Sequence, residues 1–378
     1  MKQYKYAIYK FFTITIVIPF SLYILIFIYD PLQVFHKPWF RDLAFHSNMA
    51  EQAAGVIKNY KFDSILLGTS MLQNTSSFET SKKLGGKFVN LSISGSDFYE
   101  RSFVLKYALK YKKIKTIIYS LDANAYFQER MGRDEYIQTF YKLYDDKFYT
   151  NFNIYLNTRY MKCLSTFSNS DNCIGSIKNL NFPGKWFNKK RDYSRFGGIE
   201  NWFSINLKDK EINALKSIVN LEKGKKETTF HIKNNPIKYI DDNIISIVKR
   251  NKNTNFILFF PPYARLEYAL WIQKDVNKFR LHKKIIKYLV TQSDKLNNLK
   301  IYAFGEEKFL DNLENYMDLH HYHKKINTFM LNSFASDFGL LTKSNVDKYI
   351  KVITEKSLKY DISVPAKYIE TRLKKDNL

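Results

Sequence analysis

A carboxylate three residues before an imidazole is among the smallest arrangements that can orient a general base. Asp318 and His321 stand in that relation within "NYMDLHHYHKKIN", residues 315–327. On a turn, the acid accepts from the imidazole Nδ1–H and fixes its tautomer. His320 and His323 admit a second chemistry, metal ligation. Against it, the adjacent His320 and His321 project in different directions and the sequence offers no second ligand cluster. A third reading makes the histidines a structural cluster at a helix start. A base needs a nucleophile, and "SILLGTSMLQN", 64–74, offers Ser70. There the apolar run Ile65, Leu66, Leu67 passes directly into Gly68, Thr69 and Ser70. Ser70 is either the N-cap of a following helix or a hydroxyl presented at the end of a strand.

These residues lie more than two hundred positions apart, so the elements between them must do the positioning. Strand-like apolar runs fall at 64–67, 88–93, 116–121, 256–260 and 299–304, with amphipathic segments between them. Asp97 followed by Glu100 starts a helix through about Tyr111, its apolar face made by Phe98, Leu105, Ala108 and Leu109. Further helices are expected at 241–250, 275–296 and 323–338. The alternation predicts an α/β fold, a flavodoxin-like three-layer sandwich with about five parallel strands. In such a sheet the crevice lies beyond the carboxyl ends of the strands. Beyond those ends come Gly68 to Ser70, "SISGSD" (92–97), "LDANAYF" (121–127) with Asp122 and Asn124, and "PPYAR" (261–265). The core then reads as two halves, 61–130 and 241–340. Between them, an insertion or subdomain at 131–240 carries "FPGKWFNKKRDYSRFGG".

The N-terminus sets the address. Residues 11–29, "FFTITIVIPFSLYILIFIY", hold no charge, which matches the ~20 residues a helix needs to cross the hydrocarbon layer. Lys2, Lys5 and Lys10 precede the run and Asp30 follows it, so the positive-inside rule leaves 1–10 in the cytoplasm and the rest outside. A cleaved signal peptide is the competing reading, but no small-residue cleavage site follows the run. Residues 30–60 form a linker or helical lead-in, and 341–378 a basic extension. In an exported domain Cys163 and Cys173, ten apart, either close a local disulfide or stay as two unrelated thiols; their spacing suggests no metal site. The net charge of +24 comes with no nucleic-acid-binding motif, so nucleic acid is not an expected partner. Anionic headgroups or an acidic glycan suit the charge, as does a plain solvated surface.

Taken together, Gly68-x-Ser70, Gly95, Asn124 in "LDAN" and Asp318-x-x-His321 resemble the four blocks of the SGNH (GDSL-like) hydrolase superfamily. Within it they are similar to the membrane-anchored extracytoplasmic branch that includes the D-alanyl transfer protein of teichoic acid assembly and the SGNH-like proteins that acetylate alginate and other glycans. "PPY" and the stretch from Asp318 to Asn327 look like that branch. The likeness covers about 60–130 and 250–340 and leaves out the insertion. It departs from the family in lacking the Gly-Asp-Ser-Leu wording and in having Asp122-Ala123-Asn124 where Gly-x-Asn is usual. Gly-x-Ser-x-Gly is absent, which disfavours an α/β-hydrolase elbow.

The resemblance implies Ser70 as nucleophile, His321 as base and Asp318 as its orienter. It places the backbone N–H groups of Ser70 and Gly95 and the Asn124 side chain in the oxyanion hole. Tyr263, Arg265, Trp186 and Trp202 are expected at the substrate. No cofactor or metal is implied. The activity implied is a serine esterase or O-acyltransferase working on a small acyl ester, acetyl first, of an envelope polysaccharide or its lipid-linked precursor. Its surroundings would be the bilayer and a membrane-bound acyl donor protein. The alternative is a catalytically silent glycan-binding or assembly factor with the same fold, whose platform would be Trp186, Tyr193, Arg195 and Trp202.

Overall fold

The computed structural model describes residues 2–127, 134–184, 193–203, 207–225 and 235–378. The chain forms two compact units: residues 1–61, 103–112 and 131–183 make one, and 62–102, 113–130 and 184–378 the other. The expected insertion is thus divided, its first part in one unit and its second in the other.

The larger unit is built on a mixed, mostly parallel sheet. Its strands are β1 (Ser64–Leu67), β2 (Phe88–Asn90), β3 (Thr116–Ser120), β4 (Asn255–Phe260), β5 (Leu299–Ala303) and β6 (Leu340–Leu341), in the order β2-β1-β3-β4-β5-β6. The first five are parallel, and β6 runs antiparallel along β5. The five parallel strands lie where the sequence predicts; the two-residue edge strand is too short to leave a periodic signal. They are apolar runs because side chains on both faces are covered, Ile65, Leu66, Ile117, Ile118, Leu258 and Phe259 all being buried. β2 ends at Asn90, short of the expected 93, although Leu91 and Ile93 N–H still donate to the Leu66 and Gly68 carbonyls, and beyond it the neighbouring loops are held by the Asn90 side chain. Its Nδ2 donates to the carbonyls of Leu72 and Thr75, and its Oδ1 accepts from Ser92 N–H. From β1 the chain passes to β2 on one side and returns to β3 on the other. The carboxyl ends of β1 and β3 therefore flank a switch point, where an open parallel sheet leaves a crevice.

Helix Phe98–Tyr111 opens with the expected reciprocal cap: Asp97 Oδ1 accepts from Glu100 N–H and Glu100 Oε2 from Asp97 N–H. Helices Val276–Ser293 and Lys324–Ser336 fall within the expected spans. The expected helix at 241–250 is a longer run, Pro236–Ile240, a π-helical Asp241–Ile245 and Ser246–Arg250. Helices Asp209–Glu222, Arg265–Gln273, Val346–Lys359 and Ser363–Lys375 were not foreseen. The last two turn the expected basic extension into part of the packed body, with Tyr349, Ile353 and Ile369 buried and Gly305 N–H donating to the Tyr349 hydroxyl.

In the smaller unit, helix Tyr4–Tyr29 is long and apolar enough to cross a membrane. Pro19 removes the N–H that would bond the Thr15 carbonyl, and the turns before it, Thr13–Val17, open into a π-helix. The helix ends at Asp30, which is left-handed (φ 32°). Its carboxylate accepts from Val34, Phe35 and His36 N–H and from the Tyr155 hydroxyl. Cys163 and Cys173 are joined by a disulfide.

Candidate active site

The loop after β1 explains why a buried strand ends on a glycine and two hydroxyls. Gly68 packs against β3 so closely that a Cβ on it would lie 2.3 Å from Ser120 Oγ and 2.8 Å from Leu72 Cδ1. Thr69, not Ser70, is the N-cap of the short helix Ser70–Gln73. Its Oγ1 faces Met71 N–H at 3.4 Å and donates to Asp122 Oδ1 at 2.7 Å. Ser70, one residue on, is left half-buried as the first helical residue. Gly68→Ala is accordingly expected to lower the urea midpoint of unfolding, costing about 1–3 kcal/mol by overpacking. It should also depress any Ser70-dependent turnover, because the displaced loop carries the serine. An unchanged midpoint would contradict the close fit against Ser120.

Asp318 organises its own loop. Its Oδ1 accepts from the backbone N–H of His320 (2.9 Å) and His321 (2.8 Å), folding the segment back so that the His321 ring meets the same carboxylate. Nδ1 lies 2.8 Å from Oδ2 and 3.0 Å from Oδ1. A bridge between Tyr316 and Tyr322 closes the loop, and Ala264 N–H donating to the Leu319 carbonyl fastens it to the end of β4. His321 Nε2 lies 2.9 Å from Ser70 Oγ, across 251 residues of chain. A carboxylate can only accept, so Nδ1 carries the proton and the Nε2 lone pair receives the serine hydroxyl. Burial pushes the Asp318 pKa up, but the His321 charge and its hydrogen bonds outweigh it and hold the carboxyl well below the usual range.

The three histidines do three different things. His320 Nε2 donates to Glu267 Oε1 at 3.2 Å, an oxygen that also accepts from Trp271 Nε1 at 2.8 Å. Burial works against its protonated form, but Glu267, with Asp318 and Asp122, raises its pKa above the ordinary value. His323 is the N-cap of helix Lys324–Ser336, its Nδ1 accepting from Lys325 N–H.

Ser70, Gly95, Asn124, Asp318 and His321 all border one cavity of about 670 Å3. Gly95 has φ 64°, a conformation that favours glycine. Asn124 lies in the short helix Ala123–Phe127 with its side chain exposed. Helix Asp209–Glu222 supplies another wall through Leu215 and Ile218, with Lys208 and Lys210 beside it. Sequence reading missed that helix, although Ile212, Leu215 and Ile218/Val219 keep helical spacing.

The substrate residues expected from sequence fare differently. Tyr263 borders the cavity but is buried, its hydroxyl accepting from Ala123 N–H at 2.9 Å and its ring edge-on to His320. Arg265 is not at the cavity. It is fully buried, Nε donating to Asp311 Oδ1 and NH1 to the Gly305 carbonyl, so it ties the post-β5 segment to the helix it begins. Trp202 reaches the cavity wall but is wholly buried, its indole N–H donating to the Tyr316 carbonyl, which removes it as an exposed stacking surface. Arg195 is likewise buried and paired with Glu211 at 2.8 Å, whereas Tyr193 is exposed. Trp186 lies outside the described residues.

Arg101 was not foreseen. It lies fully buried, its NH1 donating to the Ser120 carbonyl at 2.7 Å. Its NH2 meets Asp122 Oδ2 at 3.2 Å as an ion pair. Ser120 Oγ donates to the same Asp122 oxygen at 2.6 Å. Asp122 in turn holds Thr69, so a buried ionic network stands directly behind the serine loop. The signal was present: Arg101 falls between Phe98 and Leu105 on the apolar face of its helix.

No protein-family model matches the chain, and a search of curated proteins finds no match.

Proposed function

We propose that this chain is a membrane-anchored, extracytoplasmic serine esterase or O-acyltransferase of the SGNH kind on a flavodoxin-like sandwich. It acts on a small acyl ester, acetyl first, of an envelope polysaccharide or its lipid-linked precursor. The observation that carries the reading is the unbroken chain Ser70 Oγ to His321 Nε2 (2.9 Å) and His321 Nδ1 to Asp318 (2.8 Å), set at the wall of a cavity.

In that chemistry His321 takes the hydroxyl proton as Ser70 attacks the ester carbonyl, and Asp318 stabilises the imidazolium without itself being protonated. The low pKa of Asp318 suits that role. The oxyanion would be met by donors from the loops after β1, β2 and β3, with Ser70, Gly95 and Asn124 as the candidates. His321 then returns the proton to the leaving alcohol. Water attacking the acyl-serine completes an esterase, and a sugar hydroxyl completes a transferase. A membrane-bound acyl donor and a glycan still attached to lipid would both be within reach of an anchored enzyme.

The silent-binder alternative loses ground on two points. Two of its four proposed platform residues, Arg195 and Trp202, are buried, and a serine–histidine–aspartate relay serves no purpose in a binding module. The test is covalent labelling by a fluorophosphonate probe, with the adduct mapped by mass spectrometry. Labelling of Ser70 is expected, together with altered glycan acetylation in a deletion strain. An unlabelled serine and unchanged acetylation would return the binding factor to first place.

A further inference from the structure

The smaller unit presents a group of large aromatic side chains to solvent. Trp39, Phe40, Phe148 and Tyr149 are each more than half exposed, Phe40 at 81%, and Phe167 is 44% exposed. Scattered singly, such residues need no explanation. Apart from Tyr149, which follows Phe148 in the chain, these are joined to the last turns of the N-terminal helix by ring contacts, Phe40 through Trp39 at 6.2 Å. Phe27 packs on Phe35, His36 and Trp39 with centroids 5.1–5.9 Å apart. Tyr23 meets Phe152 at 4.9 Å, and Phe152 meets Phe148 at 5.6 Å. Tyr29 meets Phe167 at 5.4 Å, and its hydroxyl donates to the Ser168 carbonyl.

The helix itself changes character at the same level. Side chains up to Leu25 are largely bare, Phe20 at 65%, whereas Ile26 and Tyr29 are buried in the unit. A hydrocarbon layer of ~30 Å at ~1.5 Å per residue takes up roughly twenty helical residues. Counted from Phe11, the first residue after Lys10, the far edge of that layer falls near residue 30. The exposed rings therefore sit at the depth of the membrane–water interface, where aromatic side chains are favoured.

We infer that Trp39, Phe40, Phe148, Tyr149 and Phe167 form a collar around the outer end of the membrane helix that sinks into the headgroup layer. The unit is thereby seated on the bilayer surface instead of swinging on its anchor. The occupant of this surface is lipid, because the patch is continuous with a helix whose own bare faces require lipid. The inference rests on the helix crossing a bilayer and is independent of the proposed enzymatic activity.

Spin labels placed in the full chain test it. With Cys163 and Cys173 held in their disulfide, Phe40→Cys, Tyr149→Cys and, as a reference within the helix, Phe20→Cys can each be labelled singly. The variants are reconstituted in phosphatidylethanolamine–phosphatidylglycerol vesicles. Power saturation with oxygen and with a water-soluble nickel complex then reports depth. At positions 40 and 149 oxygen is expected to be the stronger relaxant, with an oxygen-to-nickel ratio between that of position 20 and that of free label in buffer. A nickel-dominated ratio at both, with position 20 still oxygen-dominated, would overturn the collar while leaving the anchor. Nickel dominance at all three would remove the membrane reading on which it rests. Dipolar broadening between labels on different copies would assign the surface to a second protein molecule and equally overturn the proposal.

Discussion

Ser70→Ala is expected to lower kcat on a small acetyl ester such as nitrophenyl acetate by roughly 10^4- to 10^6-fold, with the fold intact. The loss is large because nucleophile and base act as one unit; His321→Ala should cost nearly as much, and the two together little more. Stability should hardly change, within about 0.5 kcal/mol, since Thr69 rather than Ser70 caps the helix. Asp318→Asn is a subtler lesion. The amide can offer N–H to Nδ1 and so favour the wrong tautomer, which leaves Nε2 protonated against the serine and costs about 10^4 in kcat. His320 and His323 are internal controls, one held by Glu267 and the other capping a helix. Turnover that survives Ser70→Ala but disappears with a chelator or with His323→Ala would overturn the serine mechanism in favour of a metal.

The strands and the Asp-x-x-His turn could be read from sequence because both are local. An apolar run bounded by polar residues is a strand wherever it lies in the chain, and a carboxylate three residues before an imidazole needs only a turn to reach it. What could not be read depends on partners far away. Nothing near Ser70 and Thr69 says which hydroxyl caps the helix; Thr69 is held in place by Asp122, 53 residues on, whose carboxylate accepts from the Thr69 hydroxyl. Arg265, in a loop at the right end of the right strand, looked like a substrate contact. It is instead consumed by Asp311 and by carbonyls 40 and 42 residues downstream. Trp202 was drawn toward the surface by its polar, lysine-rich neighbourhood, yet the Tyr316 carbonyl takes its N–H. In each case the residue type was informative about chemistry and silent about which distant group would claim it.

Arg101→Met should destabilise the protein by about 3–5 kcal/mol, the cost of leaving a buried carboxylate without its charge partner. The guanidinium lies between the Phe98 and Tyr119 rings, with centroids 5.0 and 4.6 Å away, and supplies the only cation that the described residues place in ion-pair contact with Asp122. Methionine would retain much of the packing in that slot, so the loss reports the charge together with the guanidinium's hydrogen bonds to the Ser120 and Asp97 carbonyls. The paired variant Arg101→Met with Asp122→Asn should recover a substantial part of the loss, because an uncharged site no longer holds an unpaired ion, while the Asn Oδ1 can still accept from Thr69 and its Nδ2 can donate to a reoriented Ser120 hydroxyl. Urea unfolding of the full chain in detergent, comparing both single variants with the pair, measures the coupling. Strict additivity, or a cost below about 1 kcal/mol for Arg101→Met, would show that the network carries no special load. The same series bears on activity. Asp122 holds the cap residue next to Ser70, so even the partly rescued variant should turn over ester more slowly than its stability predicts. If its kcat instead matched the parent's, the network would be a feature of the core alone, and the serine loop would owe its position to the Gly68–Ser120 contact.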